Sequence, residues 1–358
     1  MAFNHELAER QLIEIYTKAL ERLSNKLVNA KTASSVAVME RQLIAEIRKE
    51  MIVLDKNMLA YTNQVLLKTY NLISDEVKQY MINRNITNFS ALDKKGLEII
   101  ANNLYKNFNN GINFVGRHLI DQVRTAVLEA SAEKVATGAA SKIFKESLAD
   151  NLKNNGMMFV KYENGTQMSL QAYSNMAIRT ATTEVVNVAT TDIVRSTGRN
   201  LIQITQHFSP CPICAPYEGR VYSLDEGDPD YSYIGNVAGF GNGYQTIHPN
   251  CRHRLVPYII EFDKDAEKTK KDSNKPFKDE RTQTQKDFYN NRQKQNQISN
   301  EQKKLKTEKI LLKQKEDKTS KEKRRLETIN NREKVLWERK KDSKKWEMDT
   351  INEVATKG

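Results

Sequence analysis

Proline is absent from the first 209 residues of this 358-residue chain, and six of its seven prolines then fall between Pro210 and Pro257. Proline removes a helical hydrogen bond and clashes with the preceding turn, so a long stretch without it, sparse in glycine, favours long helices. Apolar residues recur at helical spacing over 6–30 and 36–82, for example Leu43, Ile44, Ile47, Met51 and Leu54. Asn83–Phe89 reads as a break, and Ser90-Ala-Leu-Asp93 as a helix start of the Ser-x-x-acid type. Helices are expected over 90–107 and 112–153, stopping at Asn154-Asn155-Gly156.

Apolar runs flank Glu163-Asn164-Gly165, which is a hairpin signal. A helix over 171–197 should follow, ending at Gly198. Short strands are expected over 201–208, 219–224 and 254–262, with a Gly/Asp/Tyr-rich loop over 227–243. The fold class read from these signals is mainly α, with a small α+β zinc-knuckle domain and a long charged C-terminal helical tail. Its parts are a helical region (1–153), the knuckle domain (154–262) and the tail (263–358).

The knuckle reading comes from the cysteines. Cys211, Cys214 and Cys251 are all the chain has, and with His248 they make the spacing C-x2-C…H-x2-C. Thiolate and imidazole are the ligands zinc prefers, and each short pair lets one turn present two of them. Four protein ligands would close the coordination, which makes the zinc structural rather than catalytic. His207 and His253 are reserve ligands. A redox dithiol at Cys211/Cys214 and unmetallated buried cysteines are the rivals. A nuclease reading would use His248, Asn250 and His253. Arg179, Thr180, Thr182, Thr183 and Glu184 form a polar cluster, with Asn187 one turn beyond Thr183. It reads either as a partner-binding stripe or as a set of caps for neighbouring loops.

Net charge is +12 and is unevenly placed. From Asp263 to Gly358 there are 29 Lys plus Arg against 19 Asp plus Glu, whereas the preceding 262 residues are nearly balanced. A basic helical tail suits DNA or another acidic surface, and it equally suits a solvated helix. Ile298, Leu305 and Leu312, then Thr319 and Leu326, recur every seven residues. One such column fits a long exposed helix or weak coiled coil rather than a tight dimer zipper. No stretch approaches the length of a membrane span, and the N-terminus has no signal pattern, so a cytoplasmic origin without a membrane partner is expected. No phosphate-binding loop, H-E-x-x-H, G-x-S-x-G or paired-glycine dinucleotide turn occurs, which favours a protein that is not an enzyme.

The run Met176-Ala-Ile-Arg-Thr-Ala-Thr-Thr-Glu184, then Cys211-Pro-Ile-Cys214, Glu218-Gly219-Arg-Val-Tyr-Ser223 and His248-Pro-Asn-Cys-Arg-His253, resembles the signature of phage minor capsid and head-morphogenesis proteins. The resemblance is to the phage minor capsid protein 2 family. It covers roughly residues 155–262 with specific motifs; the helices and tail match in character. It draws Asn250 and Arg252 into the site as interaction or structural residues, beside Arg179, Thr183, Glu184 and Asn187. Many members keep Asn-Cys-Arg-His without the Cys-x-x-Cys pair, so the resemblance implies variable metal binding. It implies a virion protein of few copies inside the head, present in the host cytoplasm during assembly. Its partners would be the portal protein, the capsid shell or scaffold, and packaged DNA through the tail. A DNA-processing enzyme and a virion-delivered effector are the alternatives.

Overall fold

Helix α1 spans Val36–Ile82, 47 residues without a glycine or proline. Leu43, Ile47, Leu54, Met58, Leu66, Tyr70 and Ile73 recur on its buried side, the three-to-four-residue step of one helical face. The computed structural model describes residues 14, 18, 22, 36–137, 159–161, 167–314 and 319–357. The expected helix over 6–30 lies outside them except at those three positions. The chain divides into two compact units, Met1–Thr205 with Tyr217–Pro276, and Gln206–Pro216 with Phe277–Gly358.

In the first unit, α2 (Lys95–Thr137) packs along α1 through Leu97, Ile100, Leu104, Phe108 and Ile112. It begins later than the sequence suggests. Residues 86–94 are not helical; the Ser90 N–H donates to the Ser196 carbonyl at 2.8 Å, and Asp93 Oδ1 accepts from the Lys95 N–H. The expected interruption at 108–111 is also absent. Phe108 and Ile112 are both core residues, and Asp55 accepts hydrogen bonds from Tyr105 and Asn109. Tertiary contacts thus carry the helix through a local Asn-Asn-Gly signal. Beyond Thr137 the expected helix falls outside the described residues.

A hairpin of β1 (Phe159–Lys161) and β2 (Gln167–Ser169) pairs Val160 with Met168 in antiparallel register. Its Asn-Gly turn is outside the described residues. Next comes α3 (Leu170–Ser196), which joins α1 and α2 in a single core through Ile178, Ala181, Val185, Val188 and Ala189. From Ala181 to Thr190 nearly every residue is buried, so the polar side chains there need partners inside the protein. The helix stops at Gly198, whose φ of +73° suits the left-handed turn.

Three short strands follow, β3 (Leu201–Ile204), β4 (Val221–Ser223) and β5 (Leu255–Pro257). They form an antiparallel sheet ordered β4-β3-β5, with Ile202 opposite both Tyr222 and Pro257. The strands are shorter than their apolar runs, and 260–262 is a 3-10 turn rather than strand. The unit continues past 262 through α4 (Ala266–Ser273) to Pro276. Ser273 Oγ accepts the Val221 N–H at 2.9 Å, and the Arg220 guanidinium donates to the carbonyls of Lys275 and Pro276.

The second unit is a helical hairpin of α5 (Gln283–Gln314) and α6 (Ser320–Lys357). The seven-residue column is not one long helix. Ile298, Leu305 and Leu312 lie against Ile329 and Leu336 of α6. Thr319 and Glu322 form a reciprocal cap that starts the second helix, the Thr319 N–H donating to Glu322 Oε2 at 2.9 Å. Arg332–Glu301, Arg325–Glu308, Arg292–Glu347 and Lys309–Glu333 pair across the antiparallel helices. Phe288 is fully buried and meets Phe208 edge-on at 5.0 Å. The Arg281 guanidinium donates to the Pro210 carbonyl at 3.1 Å, so the segment preceding Cys211 is fixed within this unit.

Candidate metal and loop-clamping site

The polar stripe of α3 holds the loop that carries His248, Asn250, Cys251 and His253. Arg179 Nη1 donates to Asn250 Oδ1 at 2.8 Å, and Thr180 Oγ1 accepts the Asn250 N–H at 2.8 Å. Thr183 Oγ1 donates to the Cys251 carbonyl at 3.2 Å. Asn187 works in both directions: its Nδ2 donates to the Gln245 carbonyl at 2.7 Å, and its Oδ1 accepts the Leu255 N–H at 2.8 Å. Glu184 Oε1 accepts the Gln245 N–H at 3.2 Å, and burial raises its carboxyl pKa above the ordinary range. Thr182 faces its own helix, donating to the Ile178 carbonyl.

These bonds explain why Asn250 can hold a φ of +62°. Its side chain and its N–H are both engaged, and asparagine tolerates the left-handed region better than most residues. The nuclease reading needs Asn250 and His253 turned toward a substrate; here Asn250 supports a turn and His253 is buried. Arg252 and His207 are exposed.

The sulfur and imidazole side chains of 211–253 are all candidate metal ligands. Cys211 and Cys214 share one turn, the Cys214 N–H donating to the Cys211 carbonyl at 3.1 Å. No cysteine is in a disulfide, and Cys214 and Cys251 are buried. Cys251 Sγ stands 3.5 Å from His253 Nδ1, and His253 Nε2 stands 3.0 Å from Glu218 Oε2. Burial alone would lower the His253 pKa; the bonds to Cys251 and Glu218 outweigh it and push the imidazole up to about 9. His248 is half-buried, its Nδ1 2.7 Å from the Pro249 carbonyl. The donors are soft sulfur and imidazole nitrogen, the set that suits zinc. Glu218 escapes a reading by local spacing because it lies 35 residues from the histidine it holds.

Among the described residues no helix is long and apolar enough to cross a membrane. The model of the family described as phage minor capsid protein 2 matches residues 6–336. A similar curated relative is a "structural protein" of Lactococcus phage LL-H, 26% identical over 178 residues. That alignment takes in 46% of this chain and 47% of the relative, so the chain spans about half the length of the curated relative it matches. No solved structure matches the chain.

Proposed function

The chain belongs to the phage minor capsid protein 2 family, and from that premise we propose that it is a structural component of a tailed-phage head, assembled near the portal. The observation that carries this reading is the extent of the family match, which covers residues 6–336. The name of the Lactococcus phage relative agrees with a structural role. The helical first unit, with its clamped loop, serves as the rigid module that meets the portal and the shell or scaffold. The basic hairpin contacts packaged DNA. Identification of the protein in purified procapsids and in mature virions, analysed separately, tests the reading. A few copies in both particles are expected, and absence from both would overturn it.

The same reading includes one structural zinc held by Cys211, Cys214, His248 and Cys251, with His207 and His253 in reserve. Its support is the complete C-x2-C…H-x2-C spacing together with cysteines that are unbridged. Elemental analysis of tag-free protein should return about one zinc per chain, and Cys251→Ser should lower it. A metal-free protein with an ordered loop over 245–255 would remove zinc from the account while leaving the capsid role untouched.

A further inference from the structure

We propose that the cleft between α2, α3 and the 242–249 loop receives an alkylammonium group, of the kind a lysine side chain carries, at the Glu184 carboxylate. The cleft lies wholly in the first unit. It gives a chemistry to the surface by which that unit is read to meet its neighbours, and only the source of the amine depends on the capsid reading.

The cleft has a volume of about 570 Å³, the size of sites that take small molecules. Ile100, Leu104 and Ala177 line it as buried side chains, and Ile99 and Tyr244 as exposed ones. Glu184 lines it too. Its Oε1 accepts the Gln245 N–H at 3.2 Å, the one hydrogen bond the carboxylate makes among the described residues. No cation among them pairs with it. Arg179, on the same helix, donates to Asn250 instead, and Lys106 of α2 lines the cleft without an ion pair to Glu184. Burial therefore raises the carboxyl pKa with no nearby positive charge to offset it. A glutamine carbonyl would accept the same N–H, so holding the loop does not require the charge. A partly buried carboxylate without a counter-charge costs stability, and a cation entering the cleft would offset that cost.

The surroundings of Glu184 select the class of cation. Apolar walls beside a single carboxylate match an aliphatic stem that ends in one positive head. Because Oε1 is already engaged by the Gln245 N–H, the carboxylate does not present two open oxygens. That disfavours the two-point fork of a guanidinium and favours the compact ammonium. The Asn103 amide also lines the cleft, and its carbonyl oxygen can accept a second ammonium N–H. A divalent cation such as calcium needs about six or more oxygen ligands, whereas Glu184 is the only carboxylate lining the cleft.

The test titrates the full-length protein by ligand-observed NMR, at low salt and mildly alkaline pH, where the carboxylate is charged. The probes are Nα-acetyl-lysine methylamide, its Nε-acetylated form, the arginine analogue and n-butylamine. The lysine derivative should bind. Acetylation at Nε removes the charge and keeps the stem, and it should weaken binding by at least about tenfold. Glu184→Gln keeps the acceptor for the Gln245 N–H and should lose binding to the same degree; a melting point at or above that of the wild type shows that the variant is folded. n-Butylamine separates the sources of the amine: weaker binding than the lysine derivative assigns the cleft to a protein neighbour, and equal binding assigns it to a free amine. No binding of either amine, or equal binding of the Nε-acetylated probe, would overturn the proposal. So would binding that survives Glu184→Gln, or tighter binding of the arginine analogue. Absence of the protein from virions would leave these titrations unchanged, so the capsid role and the amine site fail separately.

Discussion

Gly239 and Gly243 both have φ near +80°, yet they differ in what a side chain would meet. A Cβ on Gly239 would stand 2.1 Å from the Thr246 carbonyl oxygen and 2.5 Å from that of Ile247, whereas one on Gly243 meets nothing within 4 Å. Left-handed backbone costs a non-glycine residue about 1–2 kcal/mol, and Gly243→Ala should lose that much. Gly239→Ala adds a collision with backbone that cannot swing aside, so its loss should be at least twice as large; denaturant unfolding of both variants checks the ratio. Glu184 supplies a pH-dependent case. Its folded pKa is raised by burial, so its contribution to stability is full below the unfolded carboxylate pKa and is lost as pH rises through the folded value. Glu184→Gln keeps an acceptor for the Gln245 N–H without the buried charge. It should melt higher than wild type at pH 7, with the gap closing on acidification; a gap that widens in acid would contradict this. The stripe Arg179–Thr183–Asn187 was legible because one-turn spacing is local. Its target was not, since Asn250 and Leu255 lie 71 and 68 residues away from the side chains that hold them.

At the scale of elements, α1 and α3 were legible nearly to their ends because apolar period and glycine stops are local signals. The continuous α2 and the folded-back tail were not, because partners elsewhere in the chain decide them: Asp55 for α2, Ile329 and Leu336 for α5. The hairpin offers its own probe. Trp337 and Trp346, both on α6, are the two tryptophans of the chain, so indole emission reports this element alone. Ile329 is fully buried, and Ile329→Ala should destabilise the hairpin by about 2–4 kcal/mol, seen as a lower melting point by tryptophan emission. Hydrogen bonds from Arg332 and Arg325 hold the carboxyls of Glu301 and Glu308 below their ordinary values. Their stabilising effect is therefore complete above the unfolded carboxylate pKa and disappears as pH falls through the lowered values. The hairpin melting point should drop between about pH 5 and about pH 3. Replacing both acids by glutamine should flatten that drop; an unchanged profile would assign the acid sensitivity to other groups.

For the whole molecule, the division of the chain sets where its charge can act. The first unit runs to Pro276, because Arg220 and Ser273 tie 273–276 to β4. Truncation after Pro276 is therefore the informative cut, and the remaining protein should still unfold cooperatively. From Phe277 onward there are 24 Lys plus Arg against 15 Asp plus Glu. Four of the basic side chains, Arg292, Lys309, Arg325 and Arg332, are already paired with glutamates across the hairpin. An ion-paired cation has less to gain from a phosphate, so the effective number of phosphate contacts should fall well below 24. On duplex DNA each contact steepens the dependence of log affinity on log salt by about 0.9. The full-length protein should bind duplex DNA with little sequence preference, at roughly 10⁻⁴–10⁻⁶ M in physiological salt. The salt slope should correspond to a handful of contacts. The protein ending at Pro276 should lose nearly all of this binding. Titrations of both proteins at several salt concentrations decide it. Affinity indifferent to salt, or retained after the truncation, would place the DNA contact in the first unit and leave the basic hairpin as a solvated or protein-facing element.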